Sequence, residues 1–383
     1  MPFSMLAAQL AEIEASGLKR HRRLLQGPQG AHVTVEGRQF VAFCSNDYLG
    51  LAADADLVRA AQEGAERYGA GAGASHLILG HSAAHHALEQ ALAGFVNLPR
   101  ALLFSTGYMA NIGVITALAG RDDAVFADKL NHASLNDAVL LSRAGFRRYA
   151  HLDLAALEKQ LAASRARRKL VVTDAVFSMD GDIAPVPQLL ALCERYDAWL
   201  MLDDAHGFGV LGGGGRGALS HFGVESPRVI YMATLGKAAG VSGAFVAGAP
   251  EMIEMLVQRA RSYIYTTATP PLLAHALLKS LELIGSGQWR RDHLARLISR
   301  FRQGLAAGRW KLMPSETAIQ PLVIGANADA VAAAERLAQR GLLVPAIRPP
   351  TVPQGTARLR ISFSAAHSED DVRRLVTALN ELQ

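Results

Sequence analysis

The stretch V-I-Y-M-A-T-L-G-K-A-A-G, residues 229–240, places one lysine after a wholly apolar run and among small residues. Five apolar residues followed by a glycine turn read as a strand buried on both faces. Lys237 then stands just beyond the end of that strand. An ammonium group is costly to bury unless something pairs with it or it reacts.

The same texture recurs from about residue 46. Apolar runs A-L-L-F (101–104), A-V-F-A (124–127), K-L-V-V-T (169–173), A-W-L-M-L (198–202) and A-F-V-A-G (244–248) alternate with segments of helix length. This predicts an α/β fold: a mostly parallel central sheet with helices on both faces. Ligands of such sheets sit beyond the carboxyl ends of the strands. The residues found there are S-T-G-Y, D-K-L-N-H, D-A-V-F-S-M-D-G-D, D-D-A-H-G and T-L-G-K. Ser, Thr, Asp, His and Lys converging on one edge is an active-site composition.

Three regions are expected. Residues 1–45 form an N-terminal arm, with helical spacing over 5–25 and a hairpin in H-V-T-V-E-G-R-Q-F-V-A-F. Residues 46–285 form the large domain. Residues 286–383 form a smaller α+β domain, in which S-E-D-D near Ser368 reads as a capping box. The glycine run 212–215 reads as a flexible loop over the site. G-A-G-A-G-A (69–74) follows a helical stretch and completes no dinucleotide motif, so it reads as close packing. His81 and His85 read as an exposed helix face, and no metal is expected.

The 383 residues are 50% hydrophobic and 19% charged, as in a globular protein with a large core. The net charge of +5 comes with scattered basic runs, including Arg165–Lys169, which suit a solvated surface or an anionic carrier. No nucleic-acid motif is present. Cys44 and Cys193 form no C-x-x-C and read as small buried residues in a reducing compartment. No apolar run is long enough for a membrane span, and the N-terminus carries acidic residues unlike a signal peptide. A cytoplasmic protein is expected, with no membrane partner.

A lysine at a strand end beside Thr234 suits a Schiff base with pyridoxal 5'-phosphate, the electron sink for carbanions at an amino-acid α carbon. That cofactor needs a carboxylate at its pyridine nitrogen, a flat partner for its ring, and donors for its phosphate. Asp203 or its neighbour Asp204 supplies the first, and His132 the second. Ser105–Tyr108 ahead of a helix, with Thr234, supply the third. Ser178 and His206 suit the phenolic oxygen.

D-D-A-H-G-F-G-V (203–210) and T-L-G-K-A-A-G (234–240) resemble the α-oxoamine synthases. These are fold-type-I pyridoxal phosphate enzymes that condense an amino acid with an acyl thioester and release carbon dioxide. F-C-S-N-D-Y-L-G-L (43–51), L-F-S-T-G-Y-M-A-N (103–111), Y-T-T-A-T-P-P (265–271) and R-L-R-I-S-F-S-A-A-H (358–367) extend the resemblance over nearly the whole chain. The resemblance implies that Lys237 holds the cofactor and moves the α proton. It implies that Asp203 pairs with the pyridinium, that His132 stacks on the ring beside the substrate, and that Gly107 and Tyr108 approach the cofactor. It gives Ser178 and His206 the ring oxygen, Thr234 the phosphate and Arg360 the amino-acid carboxylate. Arg20 and Thr351 are expected at the acyl substrate, with Lys19, Arg22 and Arg23 competing for Arg20's register. Thr266 and Thr267 are expected to complete the partner subunit's phosphate site in a homodimer with shared active sites. A-I-R-P-P-T-V-P-Q-G-T-A-R-L-R (346–360) most resembles the biotin-pathway member, which joins L-alanine to a pimeloyl thioester of coenzyme A or acyl carrier protein. A sister enzyme using glycine or serine, or a scaffold without catalysis, are the alternatives. Phe208 departs from the family's pattern and is expected to reshape the pocket.

Overall fold

The computed structural model describes residues 2–16 and 18–383; Met1 and Gly17 lie outside the described residues. Seven strands form the central sheet: β1 (Arg100–Phe104), β2 (Ala124–Asp128), β3 (Gly145–Tyr149), β4 (Lys169–Asp174), β5 (Trp199–Asp203), β6 (Val229–Thr234) and β7 (Ala244–Gly248). Their order is β1-β7-β6-β5-β4-β2-β3. Every neighbouring pair is parallel except the two made by β7, which runs against β1 and β6. β4, β5 and β6 are almost wholly buried, as their unbroken apolar runs require. β3 is missing from the apolar-run reading. It is an edge strand, G-F-R-R-Y, with Arg147 and Arg148 exposed, so it has no apolar run to show.

The hairpin pairs His32–Val35 with Arg38–Ala42, and Glu36 and Gly37 both take positive φ, as a two-residue primed turn demands. It is not isolated: Leu342–Leu343, from the C-terminal part of the chain, adds a parallel strand to it. A second four-stranded sheet contains Ile319–Gly325 and Ala357–Ser362, and the latter strand carries Arg360. The helix Glu369–Leu382 begins with the expected capping box, Ser368 with Asp371.

Four expectations are corrected. The N-terminal helix spans Ser4–Ala15 and stops short of the basic run. It has no buried residue, and short helices without a buried face are marginal. The glycine run is packed at its two ends: Gly212 and Gly215 take positive φ, and a Cβ on them would meet the carbonyl oxygens of Gly217 and Gly209 at 2.7 and 2.5 Å. His85 is fully buried and its Nε2 lies 2.8 Å from the Thr269 carbonyl, while His81 is half-buried with Nδ1 3.2 Å from that of His76. The exposed-face reading fails because Ser82 caps the helix Ala83–Phe95 and its first turn faces the chain around Thr269. Phe208 packs between Phe95 and Phe245 in the core and lines no part of the site described below. Cys193 is buried as read, and Cys44 is half-buried; both are free thiols.

Candidate active site

The carboxyl ends of β1, β2, β4, β5 and β6 enclose a cavity of about 200 Å³. Gly107, Tyr108, His132, Ser178, Asp203, His206, Thr234 and Lys237 all line it. These residues come from five loops far apart in sequence and meet because parallel strands end on one edge.

Asp203 faces this cavity and Asp204 does not. Adjacent strand residues point to opposite faces. Asp204 is buried behind the sheet, accepting from the Tyr231 hydroxyl and the Ala218 N–H at 2.7 Å each. Burial pushes its pKa up to about 7. Asp203 accepts from Asn111 Nδ2 at 2.8 Å and from the Ala205 N–H at 3.1 Å. Asp174, at the end of β4, lies close by and accepts from the His132 N–H at 2.8 Å. Burial, and then the charge of Asp203, push Asp174 well above the carboxylate range.

Lys237 Nζ lies 2.8 Å from His206 Nε2. Burial lowers the lysine pKa to about 8, opposed by Asp203 and Asp174 and assisted by Arg360. His206 is driven well below its ordinary value by burial and by the charges of Lys237, Arg360 and His132. Its Nδ1 sits 2.6 Å from the hydroxyl of the buried Tyr48.

The helix Gly107–Leu118 starts at the cavity wall with Thr106 as its cap. Its first N–H groups have no intrahelical acceptor and favour an anion. Gly107 brings this helix end close to Thr234, since a Cβ on Gly107 would lie 3.9 Å from Thr234 Cβ. His132 caps the helix Ala133–Ser142, with Nδ1 2.7 Å from the Ser134 hydroxyl.

Arg360 is buried behind this wall. Its Nε donates to the Ser178 carbonyl, and its Nη atoms lie 3.4 and 3.3 Å from Asn46 Oδ1. Five expected residues do not line the cavity within one chain: Arg360, Thr351, Arg20, Thr266 and Thr267. Thr351 and Arg20 are exposed, whereas Arg23 lines a neighbouring cavity of about 630 Å³ that shares Lys237 as a wall. Thr266 is half-buried and Thr267 exposed, both away from the cavity of their own chain. Sequence reasoning gave no role to Asn111, Asp174, Ser134, Tyr48 or Asn46. The spacing of Asn111 one helical turn after Gly107 was the available signal.

The site fits pyridoxal phosphate by its donor set: a buried amine of lowered pKa, a carboxylate and a helix N-terminus all line one cavity. Asn111 Oδ1 is buried without a partner on this same wall.

A family model described as "Aminotransferase class I and II" matches residues 38–379. A protein of Nitrosospira multiformis named 8-amino-7-oxononanoate synthase is 67% identical over 95% of this chain and 92% of its own length.

The chain belongs to the 8-amino-7-oxononanoate synthase family.

Solved structures agree on the fold. Serine palmitoyltransferase of Sphingomonas wittichii superposes with a TM-score of 0.93 at 31% identity, covering 100% of this chain and 97% of that one. A second serine palmitoyltransferase structure, which holds pyridoxal phosphate, gives the same TM-score at 29% identity, with coverage of 100% and 97%. The chain is therefore a fold-type-I, pyridoxal-phosphate-dependent acyltransferase. The synthase family's cofactor and the site's donor set agree.

Proposed function

We propose that the chain condenses L-alanine with a pimeloyl thioester to give 8-amino-7-oxononanoate, carbon dioxide and free thiol. The observation that supports this most is the match to the Nitrosospira synthase along nearly the whole chain, joined to a cavity that gathers Lys237, Asp203, His132 and His206. Serine palmitoyltransferase shares the fold at less than half that identity.

Asp203 would pair with the pyridinium nitrogen of the cofactor, and Asn111 holds that carboxylate in place. The N–H groups at Gly107 and Tyr108, with Thr234, would take the phosphate. His132 would cover the ring face, while Ser178 and His206 stand at its oxygen edge. When bound, pyridoxal phosphate supplies an electron sink for the α carbon of an amino acid. Arg360 orients the L-alanine carboxylate by charge-assisted hydrogen bonds. Lys237 takes the α proton at Nζ, and a pKa of about 8 keeps a usable fraction of the amine uncharged near neutral pH. Arg20 and Thr351 serve the acyl chain, which arrives on coenzyme A or acyl carrier protein. The protein acts as a cytoplasmic homodimer in which Thr266 and Thr267 reach the partner's phosphate site. None of the helices among the described residues is long and apolar enough to cross a membrane.

Purified protein loaded with cofactor should form 8-amino-7-oxononanoate from L-alanine and pimeloyl-CoA, detected by mass spectrometry. Glycine or L-serine in place of L-alanine should give little product. Preference for either would move the chain to a sister activity. Lys237→Ala should lose turnover by roughly 10²–10⁴-fold or more.

A further inference from the structure

The donors and acceptors behind Lys237 form one chain whose direction is determined. Arg360 has only donors, so the Asn46 atom facing it at 3.3–3.4 Å is the amide oxygen. That oxygen only accepts. The Tyr48 hydroxyl, 3.2 Å from the same oxygen, therefore spends its single proton there. Tyr48 is then the acceptor for His206 Nδ1, at 2.6 Å, which must carry a proton. A neutral imidazole has one N–H, so His206 Nε2 is left with a lone pair, 2.8 Å from Lys237 Nζ. His206 is neutral because it is buried next to the cationic Lys237 and Arg360, with His132 adding to the effect. Tyr48 itself is buried, and burial holds its phenol protonated.

We propose that Tyr48 is a positioning residue: its hydroxyl holds His206 in the Nδ1–H form, so that Nε2 accepts from the Lys237 amine. The arginine assigned to the substrate carboxylate and the lysine assigned to the α proton are thereby the two ends of one hydrogen-bonded relay. The inference rests on reading Lys237 as the proton-carrying base. The groups that set the charge of Lys237 are Asp203 at the end of β5, Asp174 at the end of β4, Arg360 and His206.

Removing the hydroxyl leaves nothing to hold the proton on Nδ1. His206 is then free to carry it on Nε2 and donate to the lysine. A donor facing the amine favours its uncharged form.

The test uses holoenzyme with L-alanine and no thioester, in deuterium oxide. NMR follows exchange of the alanine α proton, which reads the base without the condensation step. Tyr48→Phe should move the acid limb of the exchange rate to lower pH by about half a unit or more, the size of one neutral hydrogen bond. Nitrogen-15 NMR of labelled histidine should find His206 in the Nδ1–H form in the unsubstituted holoenzyme saturated with L-alanine, where the amino acid has released the Lys237 amine. Tyr48→Phe should gain the Nε2–H form. Asn46→Asp, which keeps an acceptor beside Tyr48, should retain the Nδ1–H form. Cofactor absorbance checks that each variant is folded. An Nε2–H ring in the unsubstituted, alanine-saturated holoenzyme, or an acid limb unmoved in Tyr48→Phe, overturns the relay. Exchange that persists in Lys237→Ala overturns instead the reading of the base on which the relay rests.

Discussion

Lys237 carries a cost in the cofactor-free fold that is open to measurement. Its pKa falls from an ordinary 10.5 to about 8, chiefly through burial. Between those values the unfolded chain binds more protons than the folded one, so stability rises with pH across that window. The penalty is full below about pH 8 and gone above the unfolded value. Lys237→Met should therefore stabilise the cofactor-free protein at pH 7 by up to ~3 kcal/mol, and the gain should fade as pH rises toward 10.5. Thermal melts at pH 7 and pH 10 check this; an equal gain at both would assign the effect to packing. The lysine and Asp203 were readable because each ends an apolar run. Asp174 ends one too, but its role depends on lying beside Asp203, which only tertiary structure supplies. Asn46, Tyr48 and Asn111 lie inside motifs that were visible, and their roles emerge only where separate loops meet. Phe208 and His85 were misread for the same reason: neither side chain's direction is set by its neighbours in sequence.

His151 shows how elements are fastened around the cavity. Its ring lies between Asp128 at the end of β2, at 3.0 Å, and Asp182 of the turn after β4, at 2.7 Å. Burial works against its charge, but the two carboxylates overcome this and raise its pKa to about 10. The same turn carries Ser178 into the cavity and Asp180 onto Arg358. Because the folded pKa lies above the ordinary 6.5, the stabilisation is fully present below pH 6.5 and is lost as pH rises through about 10. His151→Gln should lower stability in urea at pH 6.5 and differ little above pH 10. A loss independent of pH would mean that packing against Phe177, at 4.4 Å between ring centroids, is what matters. Elements whose pattern comes from burial were legible, as β4, β5 and β6 show. Elements on the margin were not: β3 shows arginines to solvent, and the N-terminal helix has no buried residue.

At the scale of the molecule, the chain carries large apolar side chains on its surface. Ile78 and Leu79 are 79% and 86% exposed, on the short helical turn His76–Gly80. Ser75, just before it, bridges to the exposed Thr267. The apolar turn and Thr267 therefore lie on one patch, which suits a subunit contact that also delivers Thr266 and Thr267 to a neighbour's cavity. A mixing experiment separates this from sites complete within one chain. Suppose one protomer carries Lys237→Ala and the other Thr266→Val with Thr267→Val. If each cavity combines one chain's lysine with the other chain's threonines, a mixed dimer has one cavity with both defects and one with neither. Co-refolding equal amounts makes about half the dimers mixed. Activity should then recover to about a quarter of the unsubstituted enzyme's, well above either variant alone. If the threonines served their own chain, every cavity in the mixed dimer would keep one defect. Co-refolded activity would then stay at the average of the two parents, and the shared-site arrangement would be wrong.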